Sequence, residues 1–335
     1  MKAVVHIGLP KTGTSSIQSY LSGNLKALSE RKVMLPRTGR VLWWKDRERN
    51  MGLSFACHPA EAPASRLMHS YGLDSRNARR RYASKYWRQL DRELARAAEA
   101  ETAIFSEEGL SNFDGEDKVA NLAEAFRRRF ETVKIYCMIR EPFSWLSSNY
   151  VQYVKMGGTQ PWEAYRDDQL DRGLFLTDLA PWLSIFGDKA VRIDVVRTDA
   201  VTQFCEFLGL DSPAKAAPRR NVSISQQGVE QLVALNRAYS ESGAKRPAAV
   251  RKAFEKHMKG PSWRAPKDDI SVVYARSQAE IGELLQHDSV SEEGKDFIAS
   301  RWSPDAVTSG YQERQSDPEQ QSEAFTNLLK DLFDK

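Results

Sequence analysis

The chain predicts an α/β fold: a doubly wound parallel sheet with helices on both faces. Three observations predict it. Ala3–Ile7 is a short apolar, β-branched run that meets Gly8 and Pro10 at once. Thr102–Phe105 is a second such run, and it leads into Ser106, Glu107 and Glu108. Val133–Ile139 is nearly continuous in apolar residues, the pattern of a strand covered on both faces. Helical periods separate the three, so their carboxyl ends share one rim, where such sheets hold ligands.

The remaining elements follow in order. Thr14 opens a helix with Ile17, Tyr20 and Leu21 on one side. Lys32–Leu35 is a short extended piece ended by Pro36. Arg37–Arg66, with Trp43, Trp44 and His58, is read as irregular, the first part of an insertion over about 36–98 on the active-site side. Arg76–Arg96 is a helix, because Tyr82, Tyr86, Leu90 and Leu94 recur every four residues. It carries Arg76, Arg79, Arg80, Arg81, Lys85, Arg88, Arg92 and Arg96 against Asp91 and Glu93. That is either a solvated face or a surface for an acidic acceptor or for phosphates. Asp117–Phe130 is a helix that ends in Arg127, Arg128 and Arg129, as a helix C-terminus favours. Arg172–Gly187 reads as helix, Ala190–Val196 as a fourth strand, and Asp199–Leu208 as a helix closed by Gly209.

Residues 211–335 read as a C-terminal helical and lid region of one domain spanning 1–335. It begins with a Pro- and Ala-rich loop, Asp211–Ser225, that carries Arg219, Arg220, Asn221 and Ser223. Gln227–Tyr239 is a helix, and Lys245–Ser271 is basic and broken by Pro247, Pro261 and Pro266. Ile281–Leu285 and Ser322–Leu332 are helical pieces, the second preceded by a polar linker over Gln312–Ser322.

The 335 residues are 41% hydrophobic, enough for a sizeable core, and 28% charged with a net charge of +4. A mildly basic chain suits anionic ligands but does not argue for nucleic acid. Cys57, Cys137 and Cys205 are widely spaced and form no C-x-x-C pair, which fits reduced thiols in a cytosol. His and Cys show no metal-ligand spacing, so no metal is expected. Without a run of about 18 apolar residues or an apolar leader, the chain is expected to be soluble and cytoplasmic, with no membrane span.

The loop after the first strand reads Gly8-Leu9-Pro10-Lys11-Thr12-Gly13-Thr14-Ser15-Ser16. Strand, Gly-containing loop and helix together aim several backbone N–H groups and the helix dipole at one spot. The hydroxyls of Thr12, Thr14, Ser15 and Ser16 add donors and Lys11 adds charge, so the spot favours an oxyanion, above all a phosphate. The nucleoside triphosphate loop G-x-x-x-x-G-K-[ST] places Lys after its second Gly. Here Lys11 comes two residues before Gly13, which departs from that pattern.

This run resembles the 5′-phosphosulfate loop of sulfotransferases that use 3′-phosphoadenylyl sulfate (PAPS), whose signature is Pro-Lys-x-Gly-Thr-[ST]-[ST] straight after the first strand. The loop after the third strand, Arg140-Glu141-Pro142 followed by Ser148, resembles the 3′-phosphate motif of the same family. There an Arg leaves the strand as a forked donor and a Ser follows eight residues on. The resemblance covers about residues 1–25 and 100–240 and is of the bacterial, carbohydrate-sulfotransferase-like kind. It implies a P-loop-like sulfotransferase fold and SO₃ transfer from PAPS, with PAP as product and no metal, to a hydroxyl or amine on a glycan or other small acceptor. It implies that Lys11 faces the departing oxygen, that Thr12, Gly13, Thr14, Ser15 and Ser16 hold the 5′-phosphate, and that Arg140 and Ser148 hold the 3′-phosphate. Relatives carry an Arg-Lys-Gly-x-x-Gly lid, of which this chain has only Lys259-Gly260-Pro261.

An acceptor hydroxyl needs a base. Glu108 and Glu107 follow a strand on the same rim, and Glu108 is the first choice; a pair of acids at a helix N-terminus is the other reading. His58 in the insertion is the runner-up, and His6 inside the first strand reads as a core histidine. Three alternatives stay open at this stage: a nucleotide-binding, kinase-like phosphotransferase with a variant loop; a catalytically dead relative that only binds; and a nucleic-acid module built on Arg76–Arg96.

Overall fold

The structure is a computed structural model that describes residues 1–44, 47–112, 115–211, 224–311 and 318–333. In chain order the elements are β1 (Lys2–Ile7), α1 (Thr14–Gly23), α2 (Leu25–Glu30), β2 (Val33–Met34), β3 (Val41–Trp44), β4 (Arg47–Arg49), α3 (Met51–Cys57), α4 (Arg66–Ser70), α5 (Arg76–Arg96), β5 (Thr102–Glu107), α6 (Glu116–Arg127), β6 (Thr132–Ile139), α7 (Pro142–Lys155), α8 (Trp162–Gln169), α9 (Phe175–Phe186), β7 (Val191–Val195), α10 (Ala200–Leu208), α11 (Gln226–Glu241), α12 (Ala248–His257), α13 (Asp269–Gln286), α14 (Glu292–Arg301), α15 (Pro304–Ser309) and α16 (Pro318–Phe333). Short 3₁₀ turns occupy Glu108–Asn112 and Leu170–Gly173. The chain packs as two compact units. The first comprises Met1–Ile139, Phe175–Ala217 and Glu283–Phe297, and the second comprises Arg140–Leu174, Pro218–Gly282 and Ile298–Lys335.

The first unit is built on a five-stranded sheet in the order β2-β5-β1-β6-β7, with every pairing parallel. This is the doubly wound α/β fold that the alternating pattern predicts. Successive residues of each strand serve opposite faces. Val4, Ile104, Tyr136 and Met138 pack with Ile17 and Leu21 of α1, Leu28 of α2, and Val201 and Phe204 of α10. On the other face, Phe105 meets Phe126 of α6 at a ring separation of 4.8 Å, and Trp87 of α5 meets Phe126 at 6.3 Å. Beyond β7 the segment at Val290 adds one parallel bridge to Ile193.

Two parts of the first unit differ from the sequence expectation. β5 runs through Ser106 and Glu107 instead of ending at Phe105, because Ile7 stays in register with Glu107 and Gly8 N–H donates to the Glu107 carbonyl at 3.4 Å. Residues 37–66, read as irregular, hold the β3–β4 hairpin and α3. They fold because the insertion has a small core of its own, in which Met51 and Phe55 bury against Met68 and Leu73 beside Tyr82 of α5. Gly39, at a φ of +69°, lets the chain pass close to Gly52, whose N–H donates to the Gly39 carbonyl at 2.8 Å.

The second unit is helical. Its aromatic centre gathers Tyr150, Trp162, Tyr165 and Trp263, with Tyr150 and Trp263 rings 4.7 Å apart. Asp269 ties it from below, accepting from Trp162 Nε1 at 2.5 Å and from Arg166. Asn236 of α11 donates to the carbonyls of Val154 and Gly158, both at 2.8 Å, and closes the C-terminal turn of α7. The basic, Pro-broken stretch contains a full helix, α12, and the piece seen at Ile281–Leu285 is part of the longer α13. Arg219, Arg220, Asn221 and Ser223 lie outside the described residues, as do 312–317 of the polar linker; α16 begins inside that linker, at Pro318.

Candidate active site

The loop after β1 is shaped by three specific restraints. Leu9 carbonyl accepts from Thr12 Oγ1 at 2.8 Å and from Thr14 Oγ1 at 3.2 Å, folding the loop back on itself. Gly13 stands at a φ of +93° as the N-cap of α1, and a Cβ there would run into the Ala200 side chain at the start of α10. Gly8 has no room for a Cβ either, because the Thr14 side chain fills that space. Only glycine meets both demands at Gly13, the left-handed backbone and the close approach. Lys11 also takes a left-handed φ of +65°. Such a conformation is uncommon for a side-chain-bearing residue and is held by its surroundings.

These contacts divide the labour within the loop. A hydroxyl has one proton to donate. Thr12 and Thr14, both buried, give theirs to Leu9 and so build the loop. The first-turn N–H groups of a helix have no acceptor within the helix and point outward. Ser16 N–H donates to the Gly13 carbonyl at 2.9 Å, so the loop's affinity for an anion rests on backbone N–H groups of the Thr12–Ser15 stretch, on the half-buried Ser15 and Ser16, and on the Lys11 charge. The turn after β7 flanks Gly13. Gln203 pins it by accepting from Arg197 N–H at 3.0 Å and donating to the Val195 carbonyl at 2.8 Å. Arg197 Nε is buried there without a hydrogen-bond partner among the described residues. The sequence reading did not single out Arg197. Its signal, an arginine just past a strand end, is the one that drew attention to Arg140.

The neighbouring strand end carries a carboxylate. Glu107 is fully buried, with Oε1 accepting from Gly109 N–H at 2.8 Å and Oε2 lying 3.8 Å from Arg49 Nε. Burial pushes its pKa up to about 7, against the opposing pull of Arg49 and the Gly109 N–H. Arg49 comes from the insertion. Next to it, Asn50 clamps β5: Asn50 N–H donates to the Ser106 carbonyl and Ser106 N–H to Asn50 Oδ1, each at 3.0 Å. Glu108 starts the 3₁₀ turn and is partly exposed. Of the two adjacent acids, Glu107 is the desolvated one, paired with a cation and beside the residue that opens the phosphate-type loop.

The histidines fall elsewhere. His6 is buried, with Nδ1 2.8 Å from Ser106 Oγ and its ring 5.4 Å from that of Phe204; burial pushes it down to about 3, so it is neutral. His58, at the C-terminus of α3, has Nε2 3.0 Å from the Pro63 carbonyl, and partial burial lowers its pKa. That bond ties the ring to its own loop.

In the second unit, Arg140 directly follows the last residue of β6 in the chain. Desolvation lowers its pKa while Glu141 opposes the shift; an arginine stays charged through such a change. Glu141 caps α7 by accepting from Phe143 N–H at 2.8 Å and Ser144 N–H at 2.7 Å, and Tyr274 OH donates to it at 2.9 Å. With Pro142 at the first turn, the helix starts where the sequence puts it. Ser148 lies two turns along α7 and is partly exposed, whereas Ser147 turns inward and donates to the Phe143 carbonyl at 2.7 Å. Lys259-Gly260-Pro261 is held against the start of α11, where Ser225 N–H donates to the Met258 carbonyl at 2.8 Å and Gln226 N–H to that of Pro261 at 3.1 Å.

Among the described residues, no group of three or more His, Cys, Asp or Glu could hold a metal ion, and no helix is long and apolar enough to cross a membrane. No family model matches the chain, and no curated protein matches it. Among solved structures, a sulfotransferase from Alicyclobacillus acidocaldarius is similar over 74% of this chain and 98% of that one, at 17% identity and a TM-score of 0.39. So loose an overlay carries no chemistry across, and the doubly wound α/β assignment stands on the strand order and parallel register of the sheet itself.

Proposed function

We propose that this chain is a sulfotransferase that moves SO₃ from PAPS to the hydroxyl or amine of a small or glycan acceptor. One observation carries the reading: the Pro10-Lys11-Thr12-Gly13-Thr14-Ser15-Ser16 run forms a glycine-capped turn between the central strand and α1, beside a desolvated carboxylate on the adjacent strand. A cradle too tight for any Cβ at Gly8 and Gly13 lets backbone N–H groups approach an anion closely. PAPS supplies an activated sulfuryl group with adenosine 3′,5′-bisphosphate as its leaving group.

The residues take the following parts. Thr12, Gly13, Thr14, Ser15 and Ser16 bind the 5′-phosphate through the backbone N–H groups of the Thr12–Ser15 stretch and the serine hydroxyls. Lys11 stabilises negative charge that grows on the departing 5′-phosphate oxygen, a transition-state interaction. Arg140 and Ser148 bind the 3′-phosphate and fix the nucleotide's register. Glu107 receives the proton of the acceptor hydroxyl as its oxygen bonds to sulfur and the bond from sulfur to the 5′-phosphate oxygen breaks. A pKa near 7 suits that role, because a base works best near the operating pH. Arg49 holds the carboxylate in place.

The test is transfer of label from ³⁵S-PAPS into a cell extract by purified protein, with Lys11→Ala as control. The reading predicts label in acceptor molecules with wild type and a loss of roughly 10²–10³ with the variant. No transfer by wild type, together with magnesium-dependent binding of ATP in preference to PAP, would overturn it in favour of a kinase-like enzyme.

A further inference from the structure

We infer that the outer face of α5 is a docking surface for a linear acidic polysaccharide. Arg81, Lys85, Arg88, Arg92 and Arg96 are all exposed. At 3.6 residues per turn they fall within about 80° of one another around the axis and span about 22 Å along it. The helix has only two acidic residues, and both are engaged away from this stripe. Asp91 accepts from Arg129 Nε at 2.6 Å, and Glu93 accepts from Arg37 N–H at 2.6 Å and Thr38 N–H at 2.9 Å. The cations nearer the N-terminus are engaged as well. Glu61 pairs with Arg76 at 2.5 Å and Arg80 at 2.7 Å, and the buried Arg79 donates to the carbonyls of Ala60 and Leu73. Among the described residues, Arg81, Lys85, Arg92 and Arg96 make no hydrogen bond or ion pair, and Arg88 donates only to Ser84 of its own helix, at 2.7 Å.

The shape of this charge selects the partner. Five like charges in a straight row gain nothing from one another and repel at the spacing of a helix face. An extended chain with an anion recurring along it neutralises them all at once, and four guanidinium forks match carboxylate or sulfate groups. An anionic bilayer is disfavoured, because membrane-surface helices bury an apolar face in lipid, whereas the apolar residues Tyr86 and Leu90 of α5 are already in the protein core. Single-stranded nucleic acid is disfavoured too, because the aromatic residues of this stretch are packed within the protein, Tyr86 buried, Tyr82 against Phe55 and Trp87 against Phe126, which leaves the stripe without a ring to stack a base.

The experiment reads binding of fluorescein-labelled polygalacturonate to the full chain by anisotropy, without nucleotide, so that its outcome is independent of the proposed transfer reaction. Expected are saturable binding that weakens with salt, no binding of neutral dextran, and a loss of roughly tenfold or more when all five residues are changed to glutamine. The double variant Arg88→Gln with Arg92→Gln should lose part of that affinity and serves if the fivefold variant unfolds. Unchanged affinity in a folded double or fivefold variant would overturn the proposal. So would tighter binding of oligo-thymidylate or of phosphatidylserine vesicles at equal anion concentration.

Discussion

The ends of β1 and β5 lie side by side on one sheet, yet they are specified in different ways. The loop after β1 is local. The restraints that fold it back come from residues within a few positions, Thr12 and Thr14 on the Leu9 carbonyl, while Ala200 against Gly13 and the Glu107 carbonyl on Gly8 N–H reach it from farther along the chain. The end of β5 offers two adjacent glutamates, of which the sequence favours Glu108. Arg49 and Asn50, 58 and 56 residues earlier than Glu107 and Ser106, make the choice by pairing one carboxylate and clamping the strand. A binding loop can thus be written in one short stretch, while a tuned acid is made by whatever the fold packs over it.

The largest expected effect tests the β5 end. Glu107→Gln should lower turnover by about 10²–10⁴ while leaving PAP affinity within a few-fold, the usual share of a general base. Glu108→Gln should be mild. The opposite ranking in steady-state kinetics would mean that burial at this strand end is structural and that the exposed acid does the chemistry.

Lys11→Ala probes the β1 end, with an expected loss of roughly 10²–10³ in turnover and unchanged thermal unfolding. Arg140→Ala extends the comparison to the residue after β6. Calorimetry should show PAP binding weakened by roughly 10–100-fold, with AMP affected far less, because only PAP carries the 3′-phosphate. Equal losses would assign Arg140 a structural part.

Gly13→Ala asks how local the β1 loop really is. The added methyl meets Ala200 in a left-handed backbone, so denaturant unfolding should show destabilisation of roughly 1–3 kcal/mol. The last effect concerns pH and is spread over several pH units. Glu107 keeps its proton up to about 7 in the fold, whereas the unfolded chain releases it near 4.5. Its contribution is therefore fully present below pH 4.5 and is lost as pH rises through 7, on the order of 2–4 kcal/mol at most. Glu107→Gln should flatten that decline between pH 5 and 8, and an unchanged slope would show that another group causes it.

The sequence by itself determined the alternation of strands and helices, the parallel sheet, the loop after β1, and the start of α7 at Pro142. These rest on short-range causes: hydrophobic period, glycine at a left-handed turn, proline and glutamate at a helix start. Three matters were decided only in three dimensions. Residues 37–66 look irregular because their Met51–Phe55 core is completed by Met68, Leu73 and Tyr82, none of them in the same short stretch. Thr12 and Thr14 look like ligand donors in sequence, and the fold commits them to Leu9. The sequence favours Glu108 as the base, and only the fold shows Glu107 buried by the sheet with Arg49 of the insertion beside it. Desolvation and pairing depend on which distant segments arrive, and no local pattern encodes that.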